Sequence, residues 1–86
     1  MAKLEKVLRK VLSGRSDANI AFSDLCNLLT GVGFEERIKG SHHIFRMAGI
    51  IDKPNLQKEG NMAKPYQVGQ VRNVILKYKL GGEIHE

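Results

Sequence analysis

The hydrophobic period of this chain changes twice, from helical to alternating and back, and few small folds tolerate that pattern. Leu4, Val7, Leu8, Val11 and Leu12 recur at the spacing of one helix face, with Lys3, Lys6, Arg9 and Lys10 mostly elsewhere. A first helix over about 3–13 is expected, with Gly14 as its left-handed stop. Arg15 to Ile20 carries turn formers and no period, so it reads as a connection. Ser23 as N-cap and Asp24 in the first turn then open a second helix over about 23–31, with Leu25, Leu28, Leu29 and Val32 as its stripe.

From Phe34 the period becomes two. Phe34, Glu36 and Ile38 alternate with Glu35, Arg37 and Lys39, which predicts a strand with one partly apolar face. Lys39-Gly40-Ser41 turns the chain into a second strand, His42 to Met47, and Ala48-Gly49 turns it again. Ile50, Ile51 and Asn55-Leu56-Gln57 form a third strand that Pro54 marks as irregular or at an edge. After the polar turn Lys58-Glu59-Gly60-Asn61, a last helix over about 67–79 buries Val68, Val71, Val74, Ile75 and Tyr78, and Gly81-Gly82 ends it. The fold class is α+β: a three-stranded antiparallel meander that must cover one face with helices and leaves the other open to a ligand.

At 86 residues the chain supports one core, since domains run from about 50 to 250 residues. Its hydrophobic share of 42% and charged share of 27% argue against disorder. Cys26 has no second cysteine to pair with, which agrees with a reducing compartment, and among Leu25, Leu28 and Leu29 it reads as a packing residue. Residues 1–12 do not resemble a secretion signal and no apolar run is long enough to span a membrane, so a cytoplasmic location is expected. The net charge of +5 is concentrated in residues 1–15 and 40–80, whereas 16–39 and the tail from 81 are acidic. Such a bias suits a polyanion, because Lys and Arg neutralise phosphates and release counterions.

The basic half opens on Gly40-Ser41-His42-His43-Ile44-Phe45, which joins a permissive backbone, a hydroxyl and two imidazoles at a strand start. Gly40 lets a large ligand approach the main chain, and Ser41 can bond a phosphate oxygen. Either histidine can move a proton near neutral pH. In a strand, His42 and Ile44 share one face while His43 and Phe45 share the other. If Phe45 and Met47 face the core, His42 faces water and is the better candidate for chemistry.

The helix, three strands and helix over residues 23–80 resemble the HicA family of toxins. The resemblance is carried by Gly-Ser-His-His-Ile-Phe at the second strand, Gly33-Phe34 ahead of it, and Gly69-Gln70-Val71-Arg72-Asn73-Val74-Ile75-Leu76-Lys77 in the last helix. Members are small mRNA interferases with a fold like the double-stranded RNA-binding domain, each blocked by a HicB antitoxin. The resemblance implies a type II toxin-antitoxin endoribonuclease, an α-β-β-β-α domain at 23–80 with an additional N-terminal helix and connection at 1–22, and a flexible tail at 81–86. It also implies mRNA and a HicB-like antitoxin as partners, with an oligomer left open. The family's catalytic histidine maps onto His42, with His43 as second choice. Two departures stand out: compact members begin near the equivalent of Ala21, and Gln57 to Tyr66 lacks their histidine-containing loop.

On that reading His42 makes one proton transfer, with the ribose 2′-hydroxyl as nucleophile. Gly40 and Ser41 hold the phosphate, Arg37, Lys39 and Arg46 supply positive charge, and Lys64 tracks the backbone. The second acid or base is left among His43, a lysine and water. A noncatalytic RNA-binding module on the same basic surface is the alternative, followed by a domain that only forms protein complexes. No cofactor is expected, and no metal, because adjacent strand histidines point apart and no ligand-spaced cluster accompanies them in sequence.

Overall fold

The computed structural model describes residues 3–82, so the tail Glu83-Ile84-His85-Glu86 lies outside the described residues. The first helix, α1 (Lys3–Ser13), spans the expected residues and buries Val7, Leu8 and Val11. These three join the same buried cluster as α2 (Phe22–Gly31) and α3 (Pro65–Tyr78), so the N-terminal helix packs on the domain as part of its core. Between α1 and α2 a 3-10 turn, Asp17–Asn19, carries the chain across.

α2 begins one residue before the expected Ser23 cap, with Ala21 at the N-cap position and no side-chain cap. Its end is anchored by tertiary bonds instead: the Phe22 N–H donates to Asn61 C=O at 3.0 Å, and Ala21 bridges Met62. At the other end the Gly33 N–H donates to Thr30 C=O (3.1 Å) and the Phe34 N–H to Leu29 C=O (3.0 Å), the paired bonds of a Schellman stop. Gly33 has φ +117°, and a Cβ there would meet Met47 Cε at 3.1 Å, so only glycine closes this helix without strain.

The sheet runs β1 (Glu35–Lys39), β2 (His42–Arg46) and β3 (Asn55–Leu56) in that order, all antiparallel. Lys39 pairs with His42 across the Gly40-Ser41 turn, and Gly40 alone of the two has positive φ, +62°, as a two-residue II′ hairpin requires. Phe45 and Leu56 are fully buried beneath the helices. The third strand is shorter than expected. Ile50 and Ile51 lie outside it, because the chain turns at Met47 (Ile50 N–H to Met47 C=O, 3.1 Å), and Ile51 is 85% exposed. Pro54, with no N–H to give, joins the sheet only by accepting from the Phe45 N–H at 2.8 Å.

Lys58 to Asn61 is more than a polar turn. β4 (Lys58–Glu59) and β5 (Met62–Ala63) form a small hairpin, tied to the chain before α2 by the Ala63 N–H to Ile20 C=O bond at 2.9 Å. Pro65 starts α3 two residues earlier than expected and leaves Lys64 extended at its N-cap. α3 stops at Tyr78, with Lys79 in the left-handed conformation, and Leu80–Gly82 follow as a 3-10 turn with Leu80 against the core. Among the described residues no helix is long and apolar enough to cross a membrane.

Arg72, in the middle of α3, is a clamp. Its guanidinium donates to the Val11 carbonyl at 3.0 Å and to both Asp17 oxygens at 2.9 and 3.2 Å, joining α1, the 3-10 turn and α3. The bonds to Asp17 hold its pKa above the ordinary arginine value. Arg72→Ala should lower stability in urea by about 1–3 kcal/mol, because charge-assisted bonds to half-buried groups are lost together. Arg72→Lys should recover only part, since an ammonium does not reproduce the fork. A fully stable Arg72→Ala protein would remove the clamp from the account.

Candidate functional site

The pleat and the register divide the two histidines. His42, Ile44 and Arg46, with their cross-strand partners Lys39, Arg37 and Glu35, occupy the outer face of the sheet, while His43, Phe45, Ile38 and Glu36 occupy the helix side. With Phe45 fully buried, His42 must be exposed, and it is. Arg37, Lys39 and Arg46 are exposed on that same outer face, and Arg46 Nε lies 3.6 Å from Glu35. The structure therefore places His42 on the same sheet face as the three expected cations, next to the Gly40-Ser41 turn, but the cations line a neighbouring hollow and not the groove that holds His42. Lys64 is half-buried at the α3 N-cap and does not line the groove that holds His42.

That groove has a volume of about 570 Å³. One wall is His42 with Asn55 and Gln57, whose side chains alternate around buried Leu56. The facing wall is α3, where Tyr66, Gln70 and Asn73 follow one another at helical spacing. Asp52, Lys53 and Pro54 close its end. Lys53 also borders the outer face formed by Arg37, Lys39 and Arg46, so the cationic surface is continuous with the groove mouth. The Asp52 carboxylate is already engaged, 3.5 Å from Lys77 Nζ and accepting from the Tyr78 hydroxyl at 3.4 Å. This carboxylate, ahead of Tyr78, holds the Lys77 ammonium pKa above its usual value.

The ring of His42 is oriented by two carboxamides. Asn55 Oδ1, which can only accept, lies 3.0 Å from Nδ1 and so places the ring proton there. Nε2 keeps its lone pair, with the Gln57 NH₂ at 3.4 Å, a long contact that an incoming hydroxyl can replace. The same NH₂ donates to Ser41 Oγ at 3.0 Å. Gln57 is held in turn by Gln67, a buried polar residue only 2% exposed. With its amide oriented to match its surroundings, Gln67 donates to the Gln57 carbonyl (2.9 Å) and accepts from the Gln57 N–H (3.0 Å). The N-terminal turn of α3 is thereby bonded to the chain just past β3.

His43 stands on the far side of the sheet. Its Nδ1 is 2.7 Å from Glu36 Oε2, and its ring meets Phe22 edge-on with centroids 4.9 Å apart. It does not line the groove and cannot share a substrate atom with His42. Beside it lies Cys26, and the ligand atoms of Cys26, Glu36 and His43 fall within 4.8 Å of one another. Ligand-like grouping thus exists in space although sequence spacing gave no sign of it. These are the described residues able to hold a soft divalent cation, and the His43–Glu36 bond already occupies one ring nitrogen and one carboxylate oxygen of the set. Any ion would also have to displace a tightly held thiol proton.

Burial, and then the nearby Glu36 carboxylate, push the Cys26 thiol up from 9.0 to about 12. A folded-state pKa above the unfolded one means the neutral thiol stabilises the fold fully below pH 9 and that this contribution is lost as the pH climbs toward 12. The stability difference between the wild type and Cys26→Ala should therefore narrow above pH 9 in urea titrations, and a difference independent of pH would contradict it.

Asn55, Gln57, Tyr66, Gln67, Gln70 and Asn73 were not among the expected site residues. Two signals pointed to all of them but Gln67: the alternation Asn55-Leu56-Gln57, and an uncharged polar stripe at Tyr66, Gln70 and Asn73 beside the apolar one. Fold and site together define a small α+β domain with an antiparallel sheet and an imidazole at the lip of a polar groove. Compared with known proteins, the chain matches no family model, no curated protein and no solved structure.

Proposed function

We propose that this protein is an endoribonuclease, a HicA-type toxin that cleaves mRNA and is neutralised by a HicB-like antitoxin. The observation that carries the reading is an exposed imidazole with Asn55 Oδ1 3.0 Å from its Nδ1, an arrangement that leaves Nε2 as the base, beside a groove that Lys53 links to the cations of the outer face. The order α2-β1-β2-β3-α3, with helices on one face of the sheet, supports a fold like the double-stranded RNA-binding domain, with α1 added. A cytoplasmic site of action, where mRNA is found, follows from the same reading.

In the proposed reaction His42 Nε2 takes the proton of a ribose 2′-hydroxyl, and the freed O2′ attacks the adjacent phosphorus. The bond from phosphorus to the 5′-oxygen breaks and that oxygen takes up a proton from water. The products are a 2′,3′-cyclic phosphate and a 5′-hydroxyl. Lys53 at the groove mouth, with Arg37, Lys39 and Arg46 beyond it, opposes charge on the phosphoryl oxygens. The Gly40-Ser41 turn offers its backbone and hydroxyl close to the same place. Asn55 is a positioning residue: it sets the tautomer that makes Nε2 the base.

His42→Ala should lower the rate of RNA cleavage by about 10²- to 10⁴-fold with an unchanged circular dichroism spectrum. An RNA carrying 2′-deoxyribose at the cleaved position should resist the wild type. Undiminished cleavage by folded His42→Ala would overturn the assignment. RNA shifted in a gel with steep salt dependence but never shortened would favour a noncatalytic RNA-binding module instead.

A further inference from the structure

We propose that the groove beside His42 holds one unpaired nucleobase, stacked on Tyr66 and contacted at its edge by carboxamides, so that the protein acts on single-stranded rather than duplex RNA. This rests on the RNA-cleaving reading above and adds the form of RNA that the site accepts.

Tyr66 is 62% exposed on the first turn of α3, whereas Phe22, Phe34 and Phe45 are buried and Tyr78 is half-buried. Among the described residues it is therefore the aromatic ring most open to a ligand, and it lines the groove. An exposed ring contributes little to the core but offers a stacking platform, because every base has a π-face. Beside it stand Gln70 and Asn73, and across the groove Asn55. A carboxamide carries both donors and an acceptor, and so can match the mixed hydrogen-bonding edge of a base.

Size points the same way. A volume of about 570 Å³ lies within the range of roughly 300–1,000 Å³ typical of small-molecule pockets, enough for a nucleoside. A base can lie against a side-chain ring only after leaving its own stack, which a single strand permits at small cost and a duplex resists. With the base on Tyr66, the sugar-phosphate chain leaves the groove past Lys53 toward Arg37, Lys39 and Arg46. His42, on the opposite wall, then stands beside the ribose. Base, cations and imidazole thus match the three parts of one nucleotide.

The test uses the full chain and one short RNA, alone or annealed to its complement, with 2-aminopurine at the nucleotide before the cleavage site. Binding is measured with the His42→Ala protein and cleavage with the wild type. The single strand should bind about 10-fold or more tighter than the duplex, quench 2-aminopurine emission on binding, and be cleaved faster. Adding Tyr66→Leu to the His42→Ala protein should weaken single-strand binding about 10- to 100-fold and abolish the quench, while Tyr66→Phe should retain both. The thermal midpoints of both Tyr66 variants should match their parent's. Equal handling of strand and duplex, or undiminished binding by the Tyr66→Leu protein, overturns this inference and leaves the nuclease reading standing. Failure of the wild type to bind or cleave either form overturns both.

Discussion

The site depends on where Phe45 goes. A large ring on β2 must be buried, and once it lies beneath the helices at 0% exposure the pleat dictates the rest of the strand. His43 turns inward to Glu36 and Phe22, and His42 turns outward. The Gly40-Ser41 turn locks that register, since a two-residue hairpin pairs Lys39 with His42 and leaves no room to slip. Two chemically identical side chains, adjacent in sequence, are thereby given different work: one braces the sheet against α2, the other meets solvent beside a groove.

Orientation of the outward imidazole is built from the opposite side of the groove. Gln67 on α3 holds the Gln57 backbone, the Gln57 side chain reaches Ser41 and His42, and Asn55 sets the ring tautomer. The buried amide matters because it pairs both backbone groups of half-buried Gln57 while satisfying its own oxygen and NH₂ in the interior. Sheet and helix are thus tied together where the candidate chemistry sits. The Arg72 clamp fixes the middle of the same helix to α1 and Asp17. An N-terminal helix that sequence reasoning set apart at 1–22 therefore shares its core with the domain that carries the site.

Much of this architecture could be read from the chain, for physical reasons that particular residues make plain. The apolar stripes of α1 and α3 and the alternation across β1 and β2 are local signals, and they placed those elements and the outward face of His42. Contacts made at a distance were not visible. Ser23 looked like a helix cap, yet α2 starts at Phe22 because the Asn61 carbonyl receives its N–H. Ile50 and Ile51 looked like strand residues, but the turn at Met47 takes them out of register. Among site residues, the cations on β1 and β2 were legible from alternation. The α3 wall and Gln57 depend on how a helix and a strand edge meet, and Lys64 was drawn in by charge alone. The meeting of Cys26, Glu36 and His43 beneath the sheet is likewise a product of folding, not of spacing.

The central claim is that the imidazole of His42, protonated on Nδ1, is the one an RNA strand encounters. Two-dimensional ¹H–¹⁵N spectra of the histidine rings, recorded while a 2′-O-methyl RNA that cannot be cleaved is added, test it most directly. The account predicts the Nδ1–H tautomer for His42 in the free protein and a large change at its Nε2 on binding, with the ring signals of His43 almost unmoved. A strand that binds while shifting His43 and leaving His42 untouched would contradict it.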